Sequence, residues 1–333
     1  MRRFANLAIV GLLLATVAGA GTSHYLDRAG VLWSASSQPD GLVLVANRDG
    51  AELLRTVVPF AAGTTGASDS GISVAADELT GKVTVVWQRD WSAETSEIMV
   101  GVWNNGSWER VTALSAMMSQ HPRFPEVQLT RVKSTVPDPA APTVVEDSFL
   151  HVVWWTGSGS AQHGEYGLLR LTAGVDEADA VSVRSLDDLV WLSGGCLWPA
   201  PQTALEHPLF ASQPVGDRAF LFHGSRRACM FQLVEIGFEV ESVPSPGLVT
   251  AMRRRHTPVF GVRKLFAVPS SMNLEGARFL LGTDLNPVAY RVLDGRIEYI
   301  SSSGIRWTPK RTLPVGGELT IDRAIPLVEH LVR

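Results

Sequence analysis

Tryptophan and arginine are the side chains of this sequence best suited to hold a ligand. An indole face packs on the apolar C–H surface of a sugar ring, as aromatic rings anchor protein interfaces. Trp91, Trp103, Trp108, Trp155 and Trp198 are the candidates, and Trp91 leads because it sits in the polar stretch Arg89 to Thr95. Trp87 and Trp154 end two similar Val-Val-Trp runs and read as core residues, so Trp155 must face the opposite way along its strand. Arg253, Arg254 and Arg255 form a basic run before His256. Such a run is either a positive patch for an anionic glycan or phosphate, or a solvated loop.

Two acidic pairs, Asp77 with Glu78 and Glu146 with Asp147, have the residue types of a glycosidase acid pair. Their equivalent places in two similar segments favour turns, in which Asp side chains accept from nearby amides. His121, His151, His163, His207, His223 and His256 show no metal-binding spacing. No catalytic residue, metal or cofactor is therefore assigned. Cys196 and Cys229 are the only cysteines. In an exported chain such a pair is expected to form a disulfide worth roughly 3–4 kcal/mol, with two separate buried thiols as the alternative.

The elements that must position these residues are strands. Alternating runs bounded by Gly, Pro, Asp and Asn recur after residue 21, and Asp49-Gly50, Asn105-Gly106 and Asp294-Gly295 mark hairpins. Gly71 to Trp87 is echoed by Ala141 to Trp154, each copy showing a short strand, an acidic turn and an alternating strand. Further blocks centre on Arg218 to Glu235 and Ala277 to Ile300. Repeats of one sheet predict an all-β fold, a β-propeller of five (alternatively six) four-stranded antiparallel blades. One or two β-sandwiches are the competing architecture.

Residues 1–20 have the form of a secretory signal peptide, with Arg2 and Arg3, an apolar run from Ala5 to Val17, and Ala18-Gly19-Ala20. The run is shorter than the roughly 20 residues that a spanning helix prefers. The expectation is an exported chain, periplasmic or extracellular, with residues 21–333 as one propeller domain and no later membrane span. A net charge of -4 with 19% charged residues gives no basic field for nucleic acid.

The Val-Val-Trp blocks and the hairpin from Trp103 to Trp108 (Trp-Asn-Asn-Gly-Ser-Trp) resemble the propellers of the sialidase superfamily, the Asp-box repeat proteins. Gly304-Ile-Arg-Trp307 keeps the end of an Asp-box, while Ser302 and Ile300 replace its Asp and Ser. A site of that family would hold three arginines on a carboxylate, a Tyr/Glu nucleophile pair and an acid/base Asp. The tyrosines available are Tyr25, Tyr166, Tyr290 and Tyr299. With the box degenerate, the expectation is a non-catalytic binding module for a glycan or a surface protein. A divergent glycoside hydrolase and a structural propeller in an envelope assembly are the alternatives.

Overall fold

Segments such as Val83 to Trp87 and Leu150 to Trp155 lack the polar half of an ordinary amphipathic strand, because neighbouring sheets cover both faces. The computed structural model describes residues 22–39, 41–59, 67–92, 95–115, 121–136, 143–156, 163–172, 182–186, 209–212, 215–225, 230–244, 252–267, 272, 277–282, 284–293 and 296–314. The residues 1–20, both cysteines, Trp198, the Asp294-Gly295 turn and the C-terminal segment from 315 lie outside the described residues.

Three sheets are four-stranded antiparallel meanders. The first holds β1 (Thr22–Leu26), β2 (Leu32–Gln38), β3 (Gly41–Arg48) and β4 (Ala51–Val57). The second holds β5 (Ser68–Asp77), β6 (Lys82–Ser92), β7 (Thr95–Asn104) and β8 (Ser107–Ala113). The third holds β9 (Arg123–Val136), β10 (Thr143–Thr156), β11 (His163–Arg170) and β12 (Ser182–Ser185).

A nine-stranded sheet follows. Its first half is β13 (Leu209–Ser212), β14 (Ala219–Ser225), β15 (Met230–Pro244) and β16 (Met252–Ala267). Its second half is β17 (Arg278–Leu281), β18 (Pro287–Leu293), β19 (Arg296–Ser303), the short β20 (Arg306–Trp307) and β21 (Arg311–Pro314). The halves join through a parallel pairing of β13 with β17.

The first strand of each meander lies beside the first strand of the next: β1 by β5, β5 by β9, β9 by β13 and β13 by β17. The blades of a propeller follow one another in this way. Apolar side chains fill each seam. Leu42 and Leu44 meet Val83, Val85 and Trp87 between the first and second sheets. Val100 meets Val152 and Trp154 between the second and third, Tyr166 meets Leu221 and Ile236 beyond that, and Phe222 meets Phe279 in the last. Trp87 and Trp154 are both wholly buried, each facing the preceding sheet.

Several sequence expectations need correcting. The echo holds for β6 and β10, but Thr143 to Asp147 is no separate strand and turn, because β10 runs unbroken from Thr143. Asp147 stays inside the strand because Arg170 Nε and Nη2 and Thr172 Oγ1 donate to its Oδ1 at 3.1, 2.7 and 2.9 Å. Burial pushes that carboxyl up, yet the Arg170 guanidinium holds it below its ordinary range. The true first strand of the third sheet is β9, and β1, β2 and β16 were likewise not foreseen. Asp49-Gly50 and Asn105-Gly106 do turn hairpins, with positive φ at all four residues.

Asp77 ends β5 as a turn acceptor for Leu79 N, Thr80 N and Thr80 Oγ1. It also receives Arg131 of β9 through Nε at 3.1 Å and Nη2 at 2.9 Å, joining the second sheet to the third. The Asp77 side chain is fully buried, so Arg131→Ala leaves an uncompensated charge and should cost about 3 kcal/mol. Urea denaturation measures this; a loss near zero would mean that the pair does not hold the sheets.

His151, wholly buried on β10, lies 2.7 Å from Thr130 Oγ1 and 2.8 Å from the Tyr166 hydroxyl. Burial pushes its pKa down to about 3. Below about pH 6.5 the unfolded chain protonates this imidazole and the folded chain does not. Stability should therefore fall as pH drops from about 6.5 towards 3, by about 1.4 kcal/mol per pH unit for this one group. His151→Gln should flatten that slope in denaturation series across the window; an unchanged slope contradicts the assignment.

Candidate functional site

The strands of the β13 to β16 meander differ in length, and the difference makes a cleft. β14 begins at Ala219, opposite Ile236, while β15 continues to Pro244 paired only with β16. Past Ile236 the two long strands are a ribbon without an inner neighbour among the described residues. Phe238 pins the ribbon to the third sheet, its ring centroid 4.5 Å from Phe149 and 5.6 Å from His151. His256 of β16 packs there too, 4.8 Å from the Phe149 ring, with Nε2 3.4 Å from Asp147 Oδ2. Burial lowers the pKa of His256 against the pull of Asp147.

Where β14 stops, a cleft of about 320 Å³ opens between the ribbon and β9. Its apolar lining is Val132, Phe238 and Val259, and its polar lining is Asp217, Arg218, Glu235, Glu239 and Arg263. Gly237 and Gly261 supply bare backbone, and a Cβ built on either would meet nothing within 4 Å. Glycine inside a strand often marks a place where something else must approach.

Register fixes the polar centre. The pairing slips between Leu233 and Val234, which oppose Lys264 and Val262, so Arg263 is the extra residue of a bulge. Its guanidinium donates to Glu235 through Nε at 2.6 Å and Nη2 at 2.8 Å. Arg218 Nη1 donates to the same carboxylate. The Arg263 hydrogen bonds, opposed by burial and helped by Arg218, hold Glu235 below the usual carboxylate range. An acid kept ionised in this way is unsuited to general-acid work, which needs a raised pKa. Both guanidiniums are half exposed, with further surface to offer a ligand.

The residues expected from sequence do not converge on one spot. Trp91 lies on β6 rather than in a loop, because β6 runs to Ser92 before turning into β7. It is half-buried, donates from Nε1 to Glu97 Oε2 at 2.8 Å, and shares Arg89 with Trp87, whose ring centroids lie 5.7 and 5.5 Å from that guanidinium. Trp103 and Trp108 occupy the seam with the first sheet, Trp103 against Trp33 at 5.9 Å and Trp108 donating to Thr56 Oγ1 at 3.3 Å. Trp155 faces away from Trp154 but is also buried, since the next sheet covers that side.

The Arg253 to Arg255 run belongs to β16, as does His256, and is not a loop. Arg254 donates to Ser134 of β9, Arg255 is exposed opposite Glu241, and Arg253 is described only in its backbone. The cleft residues Arg218, Glu235, Phe238 and Arg263 were missed. Their only sequence signal is Gly237 and Gly261, each flanked by apolar residues within a strand. Trp91→Ala should lose about 1 kcal/mol relative to Trp91→Phe, which keeps a ring over Arg89. Equal denaturation midpoints for the two would remove that stacking role.

No family model matches the chain, and no curated protein matches it. Among solved structures, it is similar to a subtype N11 neuraminidase-like protein of A/flat-faced bat/Peru/033/2010 (H18N11). The two are 10% identical, with a TM-score of 0.41 over 90% of this chain and 74% of the other.

Proposed function

We propose that the chain is an exported five-bladed propeller whose cleft between the β15–β16 ribbon and β9 binds a glycan, without chemistry. The observation that carries this is the lining of the cleft. An apolar floor carries a rim of fixed donors and acceptors, in a volume suited to one or two sugar rings. Three carboxylates face two guanidiniums, so an anionic sugar would meet an excess of like charge. A neutral glycan is the better fit, its adjacent hydroxyls bridging Glu235 and the two arginines.

Five blades is the count suggested by the succession of five first strands, β1, β5, β9, β13 and β17. Export rests on the signal-like residues 1–20. The experiment is mass spectrometry of a neutral oligosaccharide mixture incubated with the purified protein. Selective depletion without new masses supports a binding module, smaller products would replace it with a hydrolase, and no depletion would overturn the glycan reading.

Gly261→Val sharpens the test. Its added methyls meet no protein atom within reach of Cβ and suit a strand. The fold should be kept, while glycan affinity falls about tenfold or more as the cleft fills. Unchanged affinity in this folded variant would move the ligand elsewhere.

A further inference from the structure

We propose that His256 is an acid-released clasp: when its imidazole takes up a proton, the β15–β16 ribbon leaves the third sheet and the cleft loses a wall. Past Ile236 the ribbon meets that sheet at three points. Phe238 packs on Phe149, Arg254 donates to Ser134 of β9, and His256 lies on the Phe149 ring against Asp147. Histidine is the side chain that changes charge between about pH 5 and 8, so the third point is the one that mild acid addresses.

The pocket around His256 suits the neutral ring. Its side chain is 2% exposed, as is that of Asp147. His256 Nε2 and Asp147 Oδ2 stand 3.4 Å apart, yet neither atom has a hydrogen-bond partner. Asp147 is already served at Oδ1, where Arg170 and Thr172 donate three hydrogen bonds. The charged groups facing the imidazole are Asp147 of β10, Arg170 of β11 and Arg254 of its own strand. From β15 it meets the Phe238 ring, 6.1 Å away, and β9 contributes Ser134 beside Arg254. One carboxylate thus faces two guanidiniums before His256 is charged at all. A proton there adds another positive charge to a closed space, which is costly unless the ring reaches water. Burial accordingly lowers the pKa of His256; Asp147 pulls the other way, and Arg170 and Arg254 add to the lowering.

The overhang gives the ring a way to water. From Gly237 outward β15 pairs only with β16 among the described residues, so lifting the ribbon breaks no pairing with β14. Once lifted, a two-stranded ribbon is marginal in water and frays. Phe238 and Val259 line the cleft opposite Val132 of β9, so release takes the apolar floor apart. On the glycan reading above, acid would then empty the cleft. The hydrated ring of a released ribbon takes its proton near pH 6.5, and the clasped ring only at lower pH. Release therefore grows as pH falls below about 6.5, by at most about tenfold per pH unit for one proton.

The test is hydrogen exchange of the full chain without ligand at pH 7.5 and 5.5, each amide referred to its unstructured rate at that pH. Ribbon amides at 238–243 and 253–257 should lose up to about tenfold in protection at the lower pH, while those from Val83 to Trp87 keep theirs. His256→Phe keeps a ring on Phe149 without a titrating group, and ribbon protection should then be the same at both values. His256→Gln, a neutral and smaller side chain, gives the same reading should the phenyl ring upset folding. Equal ribbon protection at the two values in the parent overturns the proposal. So does a loss that persists in both variants, or one that Val83 to Trp87 share in full. A cleft that binds no sugar leaves these outcomes unaffected, so the clasp and the glycan reading fail separately.

Discussion

Every sheet of this protein must bury both faces, and most other features follow from that requirement. A single four-stranded meander has two apolar surfaces and cannot cover either alone. Stacking solves this for the interior sheets. It also explains why Trp154 and Trp155, adjacent and pointing oppositely, are both buried. Charged groups at the seams must then be matched across sheets, as Arg131 matches Asp77 and Arg278 matches Glu126. Polar groups inside a seam must find each other, as Thr130, His151 and Tyr166 do.

The same requirement sets what was legible in the sequence. Strand content and the Val-Val-Trp positions could be read, since dense apolar alternation reports burial directly. The hairpins at Asp49-Gly50 and Asn105-Gly106 could be read because turn chemistry is local. Asp147 misled because an acidic pair looks like a turn unless its cross-strand partner Arg170 is known. β9 was missed for a related reason: Arg123 to Val136 mixes polar and apolar residues whose partners lie in three other meanders.

The candidate site was less legible still. The tryptophans drew attention by type, but indoles also fill seams and stack on buried arginine, as Trp91 and Trp108 do. The cleft depends instead on a difference in strand length between β14 and β15 and on a one-residue slip that brings out Arg263. Neither a length mismatch nor a bulge has a composition of its own.

The overhang of the β15–β16 ribbon carries a consequence for how this molecule can change. Residues beyond Ile236 on β15 and before Phe260 on β16 have shed most of the work of holding sheets together, apart from the anchors at Phe238, Arg254 and His256. Alternate positions such as Gly237, Glu239, Thr257 and Val259 therefore make up a stretch where substitution alters the surface around the cleft with little penalty in folding. On the proposed binding role, the cleft could be retuned there one side chain at a time, whereas a change in a seam disturbs two sheets at once.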